Sequence, residues 1–197
     1  TCTAVAPEPI TATRLPAMRD GGVRVALGTD GRGCDETLDV LELARLTATV
    51  HKARGGDRGS WPTAAEALGM ATRDASICTG HGEKLGRIEP GCRADLLVLD
   101  GSSPTFTPVN DVVRQLVFGG RPGDIRAVIA NGETVVQDGK LTRVEEAEML
   151  DQARRHAASE SELASDSARR DHLEGIVEGV YRRAEAYDSP VDAYVPS

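Results

Sequence analysis

Apolar positions in the first third of the chain alternate between helical and strand spacing. Residues 11–20 are predicted to form a short helix that a pair of glycines ends. The β-branched run 23–27, VRVAL, has strand length and leads into the turn GTDGRG. A cap at Asp35 or Thr37 is then expected to begin a long helix that runs to about Ala53. One side of this helix carries its apolar residues: Leu38, Leu41, Leu43, Leu46 and Val50.

A second helical region follows a polar, glycine-rich loop. Thr63 is predicted to cap a helix, because Glu66 stands three residues later as in a capping box. This helix should end near Thr72, and a shorter one should cover 74–79. Helices alternating with a buried strand and a glycine turn are typical of an α/β fold.

After Gly86 the spacing becomes that of strands. A turn at 89–91 precedes ADLLVLD, residues 94–100, which is apolar on both faces and predicts a strand buried on both sides. The run 112–120, VVRQLVFGG, is interpreted as another apolar strand. Within 125–141 the Asn131-Gly132 pair is the strongest hairpin signal in the chain. These segments predict a small β module.

Composition narrows the classes of partner. A formal net charge of -8 argues against a nucleic acid or an anionic membrane surface, because both need clustered Lys and Arg. No apolar run approaches the roughly 20 residues that cross a bilayer, and no secretory leader opens the chain, so we expect no membrane partner and a cytoplasmic location. With no CxxC pair, the cysteines are expected to be reduced: Cys2, Cys34, Cys78 and Cys92.

Five stretches in order resemble the carboxyl-terminal half of the amidohydrolase superfamily. They are GVRVALGTDG, LDVLELARLTATVHK, ALGMATRDASICTGHGEKLGRIEPGCRADLLVLD, VNDVVRQLVFGG and VIANGETVVQDGKL. The branch they resemble most comprises aminohydrolases that deaminate or dechlorinate nitrogen heterocycles such as cytosine, guanine, S-adenosylhomocysteine and s-triazines. The likeness covers residues 11–142. It depends on the order and spacing of the stretches, since any one of them alone would be weak.

The resemblance implies an α/β fold made of the carboxyl-terminal portion of a metal-dependent (β/α)8 barrel, part of a small β-sandwich and C-terminal helices. Residues 1–85 would hold the last barrel strand, at 23–27, and its helices. Residues 86–142 would form part of the composite sandwich, and residues 143–197 a helical extension and tail. Two charge-rich surface helices are predicted in the extension, at 144–163 and 167–187.

Asp30 is the main candidate for chemistry, because it directly follows the apolar strand. Active groups of such barrels lie at the carboxyl ends of the strands. The resemblance implies that Asp30 coordinates a divalent metal, most simply zinc and alternatively iron, or hydrogen-bonds the metal's water and accepts its proton. The alternative is that Asp30 only caps the turn that follows it.

Cys34 and Asp35 are candidate substrate residues. They stand where the heterocycle aminohydrolases often have Ser-Asn, so the resemblance implies that they line the substrate pocket. An added carboxylate there would favour a cationic or amine-rich substrate. The alternative role of Asp35 is a helix N-terminal residue favoured by the dipole. Asn110 and Asp111 are expected to tie loop backbone together.

The remaining members of the implied metal site are missing from this sequence. The resemblance implies an HxH pair, further histidines and a proton-shuttling glutamate from an amino-terminal half, whereas the four histidines of this chain have no metal-ligand spacing. We therefore expect a chain carrying that half to be a partner, a small heterocycle to be the substrate, and the assembly to be an oligomer. Two alternatives stay open: a non-catalytic scaffold or interaction subunit of the same fold, and a hydrolase with Thr1 as its N-terminal nucleophile.

Overall fold

A computed structural model describes residues 15–29, 37–53, 57–163, 173–179 and 182, with side chains from 158 to 163 left aside. The chain divides into two compact units, Thr1–Arg143 and Val144–Ser197. The helices of the first unit are α1 (Leu15–Asp20), α2 (Val40–Ala53), α3 (Ala64–Ala71), α4 (Arg73–Cys78) and α5 (Val112–Gly119). Its strands are β1 (Leu96–Leu99), β2 (Ile125–Ala130), β3 (Glu133–Gln137) and β4 (Lys140–Leu141).

Helices α2, α3 and α5 pack on one another around the core. The buried side of α2 is centred on Ala44 and Ala48, which are both 0% exposed, and also contains Leu43. Leu38 and Leu46 were predicted to share the apolar side, but they are 57% and 40% exposed. That prediction is wrong because small alanines allow the close approach of the neighbouring helices, and this approach decides which side is buried.

The segment predicted as a strand at 23–27 is buried at Val25, Ala26 and Leu27. It is neither helix nor strand, and no described strand pairs with it, since all four strands of the described sheet lie between residues 96 and 141. Its backbone is bonded to a helix instead: the N–H of Leu27 donates to the carbonyl of Met70 at 3.2 Å. Burial of the apolar run is confirmed, and its pairing as a strand is not.

The sheet is antiparallel throughout, in the order β1-β2-β3-β4. The predicted hairpin between β2 and β3 is confirmed, with Asn131 at φ 51° and Gly132 at φ 84°. Two successive residues with positive φ make the type I′ turn that the Asn-Gly pair favours. A second turn of this kind joins β3 to β4 at Asp138 and Gly139, with φ values of 48° and 76°.

Two expectations for this region are wrong. Residues 112–119 form helix α5 and not a strand, because Asp111 caps it through a 3.0 Å bond from the N–H of Arg114 and because Val113 and Val117 are four residues apart on the core side. The strand β1 is not buried on both sides either. Leu97 and Val98 point to opposite faces and are 49% and 43% exposed, since no described element covers either face fully.

The capping box predicted for α3 is confirmed. Thr63 and Glu66 form the capping box of α3: the Thr63 hydroxyl accepts from the N–H of Glu66 at 3.2 Å, and the Glu66 carboxylate accepts from the N–H of Thr63 at 2.7 Å. Among the described residues, neither Cys78 nor Cys92 forms a disulfide; Cys2 and Cys34 lie outside the described part of the chain.

The second unit contains α6 (Glu146–Leu163), inside the predicted helix 144–163. Residues 173–179 are also helical, inside the predicted helix 167–187. Among the described residues of the chain, no helix is long and apolar enough to cross a membrane.

Candidate functional site

The residues predicted to carry chemistry lie just outside the part of the chain that the structure describes. Asp30, Cys34 and Asp35 all fall in the gap between Thr29 and Thr37, and Thr1 precedes the first described residue. The site is therefore defined by the two segments that border this gap.

The upstream border is the buried segment that ends at Thr29. Gly22 turns the chain out of α1 with φ 72°, and the N–H of Val23 donates to the carbonyl of Met18 at 2.8 Å. The bond from Leu27 to Met70 then holds the segment against α3. The segment that precedes Asp30 is thus bonded to α1 at Val23 and to α3 at Leu27.

The downstream border is the first turn of α2. Its cap is Asp39, whose carboxylate oxygen Oδ1 accepts from the N–H of Leu41 at 2.8 Å and from the N–H of Glu42 at 3.3 Å. The predicted caps were different: Asp35 lies outside the described residues, and Thr37 donates its hydroxyl to the Glu42 carboxylate at 3.1 Å. An acidic residue directly before the apolar run, with Glu three positions later, was the signal for Asp39.

Helix α2 is itself bonded to α5. The guanidinium of Arg45 donates from Nε to the carbonyl of Val117 at 3.3 Å and from Nη2 to the carbonyl of Gly120 at 2.5 Å. These carbonyls belong to the last turn of α5 and the residue that ends it, where a positive charge is favourable. The first turn of α2 is therefore attached to a packed set of helices.

An open apolar groove of about 430 Å³ lies beside the first turn of α2. Asp39 is the one charged residue among those that line it, and the others are apolar: Leu38, Val40, Leu41, Leu97, Pro122 and Ile125. This groove offers apolar contact surface, but its lining contains no pair of titratable groups for acid–base chemistry.

The described residues do not by themselves make a metal centre. Among them no group of three or more His, Cys, Asp or Glu side chains is arranged to hold a metal ion. His51 is buried on α2, His81 and His156 are exposed, and His172 lies outside the described residues. A metal centre that includes this chain would need at least one ligand from outside the described residues.

The hydrogen bonds of Asp111 and Asp124 show that these two carboxylates have structural roles. Asp111 caps α5, and the side-chain amide of Asn110 donates to the carbonyl of Pro108 at 3.3 Å, so the expectation that both side chains tie backbone together is confirmed. Buried Asp124 accepts from the Thr105 hydroxyl at 2.9 Å and from the N–H of Arg121 at 3.0 Å. Burial would raise the pKa of Asp124, but these bonds, the nearby Ser103 hydroxyl and the charge of Arg121 together hold it below its ordinary value.

The sequence and the fold are similar to those of known hydrolases. A 5-methylthioadenosine/S-adenosylhomocysteine deaminase of Syntrophomonas wolfei is 36% identical over 143 residues, which are 73% of this chain and 33% of that enzyme. The solved structure of an adenosine deaminase from Xanthomonas campestris with bound zinc has a TM-score of 0.71 and 27% identity, over 78% of this chain and 36% of that one. An atrazine chlorohydrolase from Arthrobacter aurescens TC1 complexed with zinc has a TM-score of 0.65 and 26% identity, over 71% and 31% of the two chains.

This chain spans about a third of the length of each of these three proteins. Its mixed helix and strand fold matches theirs over that third. The sequence profile of the Amidohydrolase family matches residues 7–135, which include the apolar segment at 23–27, Asp30 and the sheet up to β3. Because this match covers well over half of the 197 residues, the chain belongs to the amidohydrolase family.

Proposed function

We propose that this chain is the carboxyl-terminal part of a metal-dependent aminohydrolase that replaces the amino group of a nitrogen heterocycle with oxygen from water. A 6-aminopurine nucleoside is the substrate class that we favour, and a halogenated or aminated s-triazine is the second. The observation that supports the proposal is the family match across residues 7–135, a span that contains both the buried apolar segment and, directly after it in the sequence, Asp30.

The choice of substrate class follows from the relatives. The deaminase of Syntrophomonas wolfei is named for 5-methylthioadenosine and S-adenosylhomocysteine, and the enzyme of Xanthomonas campestris is named for adenosine. All three compounds contain an adenine ring with an exocyclic amine. The atrazine chlorohydrolase supports the second class, in which a C–Cl bond of a ring is broken.

In this proposal Asp30 binds the metal or accepts the proton of the attacking water. Zinc, which two of the similar structures contain, would lower the pKa of that water towards neutrality. A carboxylate beside it can accept the proton and later pass it to the leaving amine. Cys34 and Asp35 would line the substrate pocket.

The wider architecture belongs to the same proposal. Residues 23–27 would be the last strand of a (β/α)8 barrel, inside a barrel region of 1–85, because Val25 and Leu27 are buried although no described strand pairs with them. Residues 86–142 would be part of a small sandwich, and 143–197 an extension. The remaining metal ligands would come from an amino-terminal half, within a cytoplasmic oligomer.

The test is an Asp30→Ala variant of the enzyme assembled with its amino-terminal half. We expect loss of 5′-methylthioadenosine deamination by at least about a hundredfold, followed as release of ammonia, with the metal content of the protein measured alongside. Asp20→Ala is the matched control, because Asp20 is an exposed aspartate in the same unit, with 72% of its side chain accessible. Full turnover in Asp30→Ala would refute the proposed role.

A non-catalytic scaffold remains the second candidate. Cys34 and Asp35 favour it, since they replace the Ser-Asn pair that the family often has at this place. The metal measurement separates the two candidates: an assembly without any transition metal would favour the scaffold. If chemical blocking of the Thr1 amine leaves turnover unchanged, the N-terminal threonine mechanism is excluded.

A further inference from the structure

Helix α6 carries an apolar stripe that the described part of the chain leaves exposed. The stripe consists of Met149, Leu150, Ala153 and Ala157, whose spacing places them on one side of the helix. All four are exposed, with Met149 at 44% and Leu150 at 43%. The helix lies beyond residue 135, outside the stretch that matches the family profile. The family match therefore gives this stripe no role.

The stripe lies on a helix that side-chain bonds within α6 already stabilise. The Arg154 guanidinium donates to the Asp151 carboxylate at 2.6 Å, and the Gln152 amide donates to the Glu148 carboxylate at 3.3 Å. Pairs three or four residues apart stabilise a helix without tertiary contacts. A surface that is ordered beforehand loses little conformational entropy when another molecule binds to it.

The other helical segment of the second unit, residues 173–179, does not cover the stripe. Its own apolar side chains, Leu173, Ile176 and Val177, are 51%, 51% and 52% exposed. If the two helical segments packed on each other within one chain, both sets of apolar side chains would be buried. The occupant of the stripe therefore comes from another molecule.

The sizes of the stripe residues are self-complementary. The two large side chains, Met149 and Leu150, lie towards the start of α6, and the small ones, Ala153 and Ala157, lie one and two turns later. In an antiparallel pair with its two-fold axis between positions 151 and 152, Leu150 of one copy lies opposite Ala153 of the other. Large residues facing small ones allow two helices to interdigitate.

The charges on α6 favour the same antiparallel arrangement. Glu145 and Glu146 stand at the start of the helix, and Arg154 and Arg155 follow nine residues later. The antiparallel pair brings Glu146 of one copy to within about one helical turn of Arg154 of the other. A parallel pair would instead place acidic residues beside acidic ones and arginines beside arginines, which is unfavourable.

We propose that α6 is a dimerisation surface through which two copies of this chain pair antiparallel, with Leu150 of each packed on Ala153 of the other. This inference goes beyond the proposed aminohydrolase function and does not depend on it. The helix has 18 residues and is about 27 Å long. So short a seam buries less than the roughly 1,200 Å² of a stable interface, so we expect a dissociation constant on the order of 10–100 μM.

Sedimentation equilibrium of the 197-residue chain, from about 1 to about 500 μM, tests the surface. Leu150→Glu should weaken dimerisation at least about tenfold, and Ala153→Glu should do the same. The matched control is Leu46→Glu, because Leu46 is also a helical leucine, 40% exposed on α2. Glutamate is as good a helix former as leucine, so α6 should remain helical, as circular dichroism would verify.

Three results would overturn the proposal. The first is a wild-type chain that stays monomeric at the highest concentration. The second is a dimer that Leu150→Glu and Ala153→Glu leave unchanged, since the contact would then lie elsewhere on the chain. The third is an equal loss of dimer in Leu46→Glu, which would show general apolar association and not pairing through α6.

Charge reversal tests the antiparallel arrangement. At low salt, the double variant Glu145→Lys/Glu146→Lys should weaken dimerisation about threefold or more, because lysines would then face the arginines of the other copy. Adding Arg154→Glu and Arg155→Glu to that variant should restore the wild-type affinity. A parallel pair predicts no change in the double variant, because like charges face each other before and after the substitution. That outcome would refute the antiparallel pairing.

Discussion

Gly86 lies against the backbone where α3 meets α4, and replacing it with alanine should damage this junction. Its φ is +73°, and a Cβ atom at this position would lie 2.5 Å from the carbonyl carbon of Thr72 and 2.6 Å from the backbone nitrogen of Arg73. Optimal carbon–carbon separation is about 3.5–4.0 Å, so the new atom overlaps Thr72 by about 1 Å. Both contacts are with backbone atoms, which cannot rotate away as a side chain can.

Gly91 is the matched control for this substitution. It also has positive φ, +90°, in the loop that precedes β1, but a Cβ atom there would meet nothing within 4 Å. Alanine in the left-handed region costs about 1–2 kcal/mol, partly offset by about 0.4–1 kcal/mol from a less flexible unfolded chain. Gly91→Ala should thus lose about 1 kcal/mol. Gly86→Ala carries the same conformational cost together with about 1–3 kcal/mol of steric overlap.

Fluorescence of Trp61 follows this comparison directly. Trp61 is the single tryptophan of the chain and belongs to the same unit as both glycines. With about 2–4 °C per kcal/mol, the unfolding midpoint should fall by about 2–4 °C in Gly91→Ala and by about twice that or more in Gly86→Ala. Equal shifts in the two variants would refute the close approach of Gly86 to Thr72.

Three further predictions test the core and the electrostatics. Leu43→Ala should cost about 2–5 kcal/mol in urea unfolding and Leu46→Ala less than about 1 kcal/mol, because these leucines are 5% and 40% exposed; equal losses would contradict the observed buried side of α2. Arg45→Ala should lose about 1.5–3 kcal/mol, and Arg45→Lys should not restore it because an ammonium lacks the planar fork that reaches two carbonyls. Asp124→Asn should be less stable than the wild type at pH 7. Because the pKa of Asp124 is lower in the folded state than its ordinary value of 3.8, the ionised carboxylate stabilises the fold above pH 3.8, and this contribution is lost as the pH falls below it. A difference in unfolding free energy that stays constant down to about pH 2 would contradict this role of Asp124.

Elements whose hydrogen bonds close within a few residues could be predicted from the sequence. The Thr63–Glu66 capping box and the Asn131-Gly132 turn each depend on partners at most three residues apart, so their residue types indicate the geometry directly. The same reasoning would have found the cap at Asp39, since Glu42 stands three residues after it.

Elements that depend on distant partners were predicted less well. Residues 112–119 contain enough β-branched residues to suggest a strand, but Val117 is buried against other helices, and tertiary packing outweighs a weak local preference. The exposure of Leu97 and Val98 could not be predicted either. An apolar sequence shows that its side chains could be buried, but it does not show which other element would cover them.

The sequence by itself determined the family, the burial of the apolar run within 23–27, and the turns and caps whose bonds are local. Only the tertiary structure decided which side of α2 is buried, that Met70 holds the segment before Asp30, and that Arg45 attaches α2 to carbonyls 72 and 75 residues further along the chain. The physical reason is separation along the sequence: a bond between near neighbours follows from their types and spacing. A contact between remote segments depends instead on how the whole unit packs.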